Sequence, residues 1–89
     1  MKNKSVSVII PTLDRSEVLL NTLNDLLKQK YPSFEIIVVD QTEKQKKGVL
    51  EFIKVHKNKI KYLRLAEKGL PHARNVGVQV ATGEIVLFL

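Results

Sequence analysis

Apolar residues along the chain follow two alternating spacings. Four short runs with apolar residues in strand patterns predict strands: SVSVIIP at 5–11, EIIVVD at 35–40, IKYLRL at 60–65 and GEIVLFL at 83–89. Between these runs, apolar residues recur three and four positions apart, as they do on one face of a helix. The predicted order of elements is therefore β-α-β-α-β-α-β.

The sequence patterns of the last two strands predict different environments. GEIVLFL ends on five consecutive apolar residues, Ile85 to Leu89, which is the pattern of a strand buried on both faces. IKYLRL instead alternates apolar and basic residues, so we expect this strand near a sheet edge with one wetter face.

Two of the predicted helices carry specific signals. Asp14 stands three residues before Glu17, a capping-box spacing adapted to aspartate, and a leucine-rich face follows. The third helix, predicted over 69–81, has Pro71 near its first turn, where a missing N–H costs little. It carries a stripe of mostly small residues that would let it pack close to a sheet: Leu70, Ala73, Gly77 and Val80.

Each connection between strands is long enough for a helix, so the strands should be parallel and the crossovers right-handed. The predicted fold class is α/β: a three-layer α/β/α unit spanning residues 1–89, with a Rossmann-like parallel sheet. In such sheets ligands bind beyond the carboxyl ends of the strands, near the point where strand order reverses. Those ends carry the loops at 11–15, 40–42 and 66–69, and we expect function there.

Composition excludes several classes of protein. The 89 residues are 44% hydrophobic and 27% charged, which is typical of a soluble globular domain. The sequence has no cysteine, so disulfide scaffolds and cysteine metal sites are excluded. No apolar run approaches the ~20 residues that a membrane helix needs. We expect a mature cytoplasmic protein, with peripheral membrane association as an open alternative.

The net charge of +6 is concentrated in one segment of the chain. Residues 44–68 hold nine Lys or Arg against Glu51 and Glu67, a local balance of +7. Such a segment could bind nucleic acid, an acidic membrane surface or a phosphate-bearing substrate. A solvated lysine-rich face is the favoured interpretation, and we do not expect a nucleic-acid partner.

Common nucleotide and hydrolase motifs are missing from the sequence. There is no GxGxxG after the first strand, no GxxxxGK[ST] and no Gly-x-Ser-x-Gly, which argues against a dinucleotide dehydrogenase, a P-loop NTPase and an α/β-hydrolase. Asp40, at the end of a buried strand, could accept hydrogen bonds from a ribose or a base, or could cap the following turn. Arg74 could bind an anion such as a diphosphate at the start of the third helix, or pair with a neighbouring loop.

Three segments, VSVIIPTLDR, EIIVVDQT and GLPHARNVGVQVATGEIVLFL, occur in that order and resemble the start of a family-2 glycosyltransferase with the GT-A fold. The resemblance covers nearly the whole chain. It implies a hexosyl- or related transferase that moves a sugar from a nucleotide-diphosphate sugar to an acceptor, usually with inversion at the anomeric carbon. The implied acceptor is a glycan or lipid-linked sugar, in polysaccharide or glycoconjugate synthesis.

The same resemblance implies a nucleotide-binding site. By this resemblance, Pro11, Thr12 and Leu13 line the nucleotide pocket, Asp40 and Gln41 lie against the base and ribose, and Lys68 and Arg74 lie toward the base or diphosphate. Two positions depart from the family pattern. Leu13 stands where an aromatic residue is common, and Gln41 stands where a second acid is common. An amide both donates and accepts hydrogen bonds, whereas an ionised carboxylate only accepts them. The identity of the nucleotide base is therefore left open.

The resemblance also bears on how much of the enzyme this chain contains. In the family, the strand that resembles GEIVLFL leads into an Asp-x-Asp motif that holds Mg²⁺ or Mn²⁺ on the donor diphosphate, and a later acid acts as general base. We expect that motif just after Leu89, so no catalytic residue and no metal ligand is expected within this chain. We expect the N-terminal nucleotide-binding portion of a GT-A domain, inactive and metal-free alone.

Two further expectations concern assembly. An uncovered C-terminal strand would favour self-association of this chain. The alternative to the glycosyltransferase hypothesis is a stand-alone small α/β binding or assembly module without catalysis.

Overall fold

The computed structural model describes residues 4–89, which form a four-stranded parallel sheet with three helices. The strands are β1 (Val6–Thr12), β2 (Phe34–Asp40), β3 (Ile60–Arg64) and β4 (Ile85–Phe88). The helices are α1 (Ser16–Leu27), α2 (Lys47–Val55) and α3 (Leu70–Val80). The predicted order of elements and the α/β class are confirmed. The first three residues of the predicted unit 1–89 lie outside the described residues.

The sheet has the strand order β3-β2-β1-β4, and every neighbouring pair is parallel. The chain moves outward from β1 through β2 to β3, and α3 then returns it to the other side of β1. Strand order therefore reverses between β1 and β4, and this reversal marks where a parallel α/β sheet binds ligands.

Side chains on alternate positions of β1 and β2 divide the core into two layers. Val8, Ile10, Ile36 and Val38 pack with Leu19 and Leu23 of α1 and with Val49 and Ile53 of α2. Ile9, Ile37 and Val39 pack on the opposite face with Ala73 of α3. The predicted three-layer α/β/α arrangement is therefore present, with two helices on one face and one on the other.

Helix α3 lies very close to the sheet. Ala73 and Gly77 are buried, and a Cβ placed on Gly77 would lie 2.5 Å from Cγ2 of Ile9. The prediction of close packing through small residues holds at these two positions. Leu70, assigned to the same stripe, is 49% exposed because it lies at the first residue of the helix, beyond the sheet.

The capping-box prediction for α1 is wrong. The helix begins at Ser16, its N-cap is Arg15, and no side chain caps it. Asp14 lies one residue farther from the helix, with φ of 53° in the left-handed region. Its backbone N–H donates instead to Thr42 Oγ1 at 2.9 Å, so a contact with a distant loop replaces the local one.

The expectation that GEIVLFL is buried on both faces is also wrong for the described residues. Strand β4 lies at the sheet edge, where it pairs with β1, and Ile85, Leu87 and Phe88 are 39%, 50% and 44% exposed. Val86 packs with the layer that contains α3. Strand β3 lies at the opposite edge, as its alternating pattern predicts.

The half-buried carboxylate of Glu35 bonds groups on three other segments at the amino end of the sheet. Glu35 Oε2 accepts hydrogen bonds from Ser7 Oγ at 2.6 Å and from the backbone N–H of Thr82 at 2.7 Å, while Oε1 contacts Lys61 Nζ at 2.9 Å. The N–H of Gly83 donates to Ser7 Oγ at 2.8 Å. This network ties the turn before β4 to both central strands.

The close approach of α3 predicts an asymmetric response to alanine at two helical glycines. Gly77→Ala should lower the free energy of unfolding by about 1–3 kcal/mol, because the methyl group overlaps Ile9. Gly48→Ala, on α2, meets nothing within 4 Å and should be neutral or stabilising by up to about 1 kcal/mol. Urea denaturation of both variants measures the difference, and equal effects would contradict the packing argument.

The Glu35 network predicts a defined loss of stability in acid. Burial raises the pKa of Glu35, but hydrogen bonds from Ser7, Lys61 and Thr82 outweigh it and lower the pKa from 4.5 to about 2. The stabilisation from ionised Glu35 is therefore complete above pH 4.5 and is lost as the pH falls toward 2. The difference in unfolding free energy between the unmodified chain and Glu35→Gln should narrow over that range. A difference that stays constant would show that Glu35 is not the group responsible.

Candidate functional site

A groove of about 460 Å³ opens at the carboxyl ends of β1 and β2, beside the reversal of strand order. Its lining comes from the end of β1, the loops after β1, β2 and β3, and the start of α3: Pro11, Thr12, Leu13, Arg15, Gln41, Gly69 and Leu70. Four of the seven residues that the sequence singles out for a nucleotide site, Pro11, Thr12, Leu13 and Gln41, therefore share one groove. Arg15, Gly69 and Leu70 are additional lining residues.

The wall formed by the β3–α3 loop combines a helix N-terminus with an apolar side chain. Gly69 is the N-cap of α3 and has φ of 140°, a conformation that favours glycine. Leu70 follows it, and Pro71 occupies the first turn of the helix. The positive end of the α3 dipole thus lies beside an apolar surface, a combination that suits a ligand with both a flat apolar part and an anionic part.

Gln41 lines the groove and fixes this wall through its side-chain hydrogen bonds. Its side chain is only 4% exposed, and Nε2 donates to the backbone carbonyls of Glu67 at 2.8 Å and Gly69 at 3.0 Å. These bonds use both hydrogens of the amide nitrogen, so the side-chain atom left for a ligand is the acceptor Oε1. A carboxylate here would face two carbonyl oxygens, which explains why an amide suits this loop.

Asp40 precedes Gln41 but faces the other layer of the fold. It is fully buried; Oδ1 accepts from the N–H of Thr42 at 2.9 Å, and Oδ2 accepts from Gln45 Nε2 at 2.9 Å and from Tyr62 Oη at 2.5 Å. The bond from Thr42 matches the turn-capping alternative. Direct contact between Asp40 and a nucleotide stays a prediction, and no Asp40 surface is exposed to the groove.

The hydrogen bonds set the charge state of this cluster. Burial raises the pKa of Asp40, but hydrogen bonds from Tyr62, Gln45 and Thr42 outweigh it and hold the pKa below its usual value. Burial and the Asp40 carboxylate together raise the pKa of Tyr62. At neutral pH the cluster is therefore a carboxylate bound by a neutral phenol, an amide and a backbone N–H.

Sequence reasoning missed the roles of Tyr62 and Gln45. The alternation that begins at Ile60 places Tyr62 on the same face as Ile60, which packs in the layer with α1 and α2. That alternation was a usable signal for Tyr62. Gln45 carried no comparable signal, because it lies in a loop whose path depends on Asp40 itself.

The remaining predicted site residues, Lys68 and Arg74, lie near the groove but do not line it. Lys68 borders a neighbouring hollow of about 390 Å³ together with Gln41 and Arg64. The guanidinium of Arg74 lies 5.5 Å from the centre of the Phe88 ring, a cation–π distance that places Arg74 beside the carboxyl end of β4. Both cations therefore lie near the carboxyl ends of the strands, on the side of the sheet where the groove opens.

A larger hollow of about 520 Å³ lies by the β1–α1 turn, between the start of α1 and the loop after β2. Its lining mixes Asp14 and Glu17 with Lys44 and Lys46, so it presents no surface of a single charge. It also lacks the apolar wall that Leu70 supplies to the groove. We therefore take the groove as the candidate site.

Within residues 4–89, no three His, Cys, Asp or Glu side chains lie close enough together to hold a metal ion. Because the residues described do not fit a metal, we derive no chemical step through one from this part of the chain.

A separate property concerns the helices: none in the described range is both long and apolar enough to cross a membrane.

Comparison with known proteins places these features in a family. The model of the family described as Glycosyl transferase family 2 matches residues 7–89. The amylovoran biosynthesis glycosyltransferase AmsB of Erwinia amylovora is 37% identical; the match covers 100% of this chain and 31% of AmsB.

Two solved structures share the fold over 96% of this chain. The mannosyltransferase PcManGT from Pyrobaculum calidifontis, in complex with GDP-Man and Mn²⁺, is 29% identical with a TM-score of 0.81. Staphylococcus aureus TarS 1–349, in complex with UDP-GlcNAc, is 35% identical with a TM-score of 0.81. The match covers 26% of each of those chains, so this chain spans less than a third of the relatives described here.

The Asp40 cluster predicts that the hydroxyl of Tyr62 contributes far more to the free energy of unfolding than the hydroxyl of Tyr31. Tyr62→Phe should lower the free energy of unfolding by about 1.5–3 kcal/mol, because a buried carboxylate loses a hydrogen bond. Tyr31→Phe removes the same hydroxyl from an exposed side chain that donates to the Lys4 carbonyl, and should cost less than about 1 kcal/mol. Urea denaturation compares the two, and similar losses would refute a special role for Tyr62.

Proposed function

The chain belongs to glycosyl transferase family 2, and from this premise we propose that it forms the donor-nucleotide-binding part of a longer glycosyltransferase. That enzyme transfers a sugar, with inversion at the anomeric carbon, from a nucleotide-diphosphate sugar to a glycan or lipid-linked acceptor. It acts in polysaccharide or glycoconjugate synthesis, in the cytoplasm or at the membrane surface. The fraction of its relatives that this chain spans supports its being one part of such an enzyme.

The observation that carries this proposal is the groove at the strand-order reversal. Its lining gathers residues from three segments that are far apart in sequence, and a parallel α/β sheet binds ligands at this place. The base lies in the groove against the apolar side chains of Leu13 and Leu70. The diphosphate lies toward the N-terminus of α3, with Arg15, Lys68 and Arg74 as the nearby cations.

Gln41 supplies the polar contact to the base. Because its amide nitrogen is bound to two carbonyls, Oε1 accepts a hydrogen bond from an N–H on the base edge. Uracil and guanine both present a ring N–H at that edge. Of the two solved relatives, TarS holds a uridine diphosphate sugar and PcManGT a guanosine diphosphate sugar, which supports such a contact without choosing between the bases.

The catalytic chemistry needs groups beyond those described. A divalent cation, Mg²⁺ or Mn²⁺, would neutralise charge on the leaving diphosphate, and a carboxylate base would deprotonate the acceptor. Since residues 4–89 show no cluster that fits a metal, we propose that both groups come from other parts of the enzyme. The complex of PcManGT with Mn²⁺ supports metal use in the family.

The edge strand β4 supports the same proposal. Ile85, Leu87 and Phe88 are each more than a third exposed on a strand at the sheet edge. A stand-alone module would be expected to mask such an edge with charge or a bulge. We propose that further chain covers this surface in the whole enzyme, and that the isolated 89 residues self-associate through it.

Nucleotide titration tests the proposed function. The isolated chain should bind UDP or GDP weakly, with no dependence on Mn²⁺, as measured by calorimetry. Gln41→Glu should weaken that binding by roughly tenfold, because its carboxylate repels both the loop carbonyls and the diphosphate. Gln79→Glu is the matched control: it adds the same charge to the exposed last turn of α3 and should leave affinity unchanged.

Two outcomes would contradict the proposal. The first is salt-sensitive binding of an oligonucleotide with no binding of either nucleotide, which would assign the basic segment 44–68 to nucleic acid. The second is an equal loss of affinity in Gln41→Glu and Gln79→Glu, which would remove Gln41 from the site.

A further inference from the structure

We propose that Asp40 is a positioning residue that holds the β1–α1 turn, residues 13–16, in the shape that forms one wall of the groove. It does so through two separate chains of hydrogen bonds, a role that requires no contact with the ligand. The claim that the groove binds a nucleotide rests on the proposed function, whereas the hydrogen bonds that hold the turn do not depend on it.

The first chain of hydrogen bonds runs through Thr42. The backbone N–H of Thr42 donates to Asp40 Oδ1 at 2.9 Å, which fixes the position of the threonine. Thr42 Oγ1 in turn accepts from the backbone N–H of Asp14 at 2.9 Å. The carboxylate at the end of β2 thus reaches the middle of the turn that follows β1.

The second chain runs through Gln45. Its Nε2 donates to Asp40 Oδ2 at 2.9 Å, which orients the amide. Its Oε1 accepts from Ser16 Oγ at 2.8 Å and from the backbone N–H of Lys46 at 2.9 Å. The same carboxylate therefore also reaches the residue where the turn becomes α1.

The turn needs such support because its own conformation is unfavourable. Asp14 has φ of 53°, which a residue other than glycine adopts at a cost. Helix α1 has no side-chain cap that would fix its start locally. Leu13 and Arg15 flank Asp14 directly, and both line the groove. The hydrogen bonds to residues 14 and 16 therefore determine where two lining residues lie.

Asp40 itself is well suited to act as the fixed point. It is fully buried at the end of a central strand, and Tyr62 of β3 donates to it as a third partner. Both carboxylate oxygens are thereby oriented by groups on the sheet and the adjacent loop. The side-chain bonds of Asp40 lead to the turn, whose residues Leu13 and Arg15 line the groove.

A purely structural role for these bonds predicts a different result. In that case their removal would lower stability, but the molecules that remain folded would bind the nucleotide as before. Positioning predicts weaker binding by folded protein. Affinity and stability must therefore be measured on the same variants.

A double-mutant cycle on Thr42 and Ser16 tests the inference. Thr42→Val and Ser16→Ala each remove one hydroxyl and cut one chain, and neither residue lines the groove. Because either chain can hold the turn, each single variant should weaken UDP or GDP affinity only slightly. The double variant should weaken it by roughly fivefold or more, beyond the product of the two single effects.

The opposite end of the sheet offers a matched control. Thr82→Val with Ser7→Ala removes one threonine and one serine hydroxyl from the network around Glu35. This pair should lower stability while leaving nucleotide affinity unchanged. Weakened binding in the control pair would attribute the effect to general destabilisation and overturn the inference.

Hydrogen exchange gives a readout that needs no ligand. The Asp14 amide is bound to Thr42 Oγ1, so its exchange should accelerate in the Thr42→Val, Ser16→Ala double variant and not in the control pair. If the unmodified chain binds neither UDP nor GDP, the proposed function fails, while exchange at Asp14 still decides the positioning role. Unchanged exchange in the double variant refutes that role, whatever the affinity.

Discussion

The parallel pairing of β1 with β2 is the constraint on which the rest of the structure depends. Their register runs from Val6 opposite Phe34 to Thr12 opposite Asp40, so the two strands end level with each other. The backbone N–H of Gln41 donates to the Thr12 carbonyl at 2.8 Å, which continues the ladder past the end of β2. Because the strands end together, loops about 28 residues apart in sequence begin side by side and can bond.

The same strand geometry separates two polar residues that are adjacent in sequence. Successive side chains on a strand point to opposite faces, so Asp40 faces the layer of α1 and α2, and Gln41 faces the layer of α3. Asp40 orients the β1–α1 turn through Thr42 and Gln45, while Gln41 holds the β3–α3 loop by two carbonyls. The two sides of one groove are thus held by neighbouring residues with different chemistry.

The sequence predicts those parts of this structure that local pattern determines. Apolar spacing predicts all four strands and three helices, and connection length predicts parallel pairing. Strand order, the exposure of β4 and the φ of Asp14 depend on groups distant in sequence. An apolar run such as Ile85 to Leu89 indicates what its side chains prefer, not what lies beside them. The amide at Gln41 becomes explicable only once two loop carbonyls, 26 and 28 residues away, are in place.

Strand β2 carries a hydrogen-bonded carboxylate near each end, half-buried Glu35 and fully buried Asp40, and together they account for the fixed connections of the fold. Glu35 and Asp40 are five positions apart, an odd spacing that points them to opposite faces. A carboxylate withdrawn from water without donors is costly, more so for Asp40 than for the half-buried Glu35, so each one disfavours arrangements that remove its partners. If β4 left its place beside β1, Glu35 would lose both of its bonds to Thr82. If the loop after β2 took another path, Asp40 would lose Thr42 and Gln45. We infer that these two charges specify the strand order at one edge and the groove at the other.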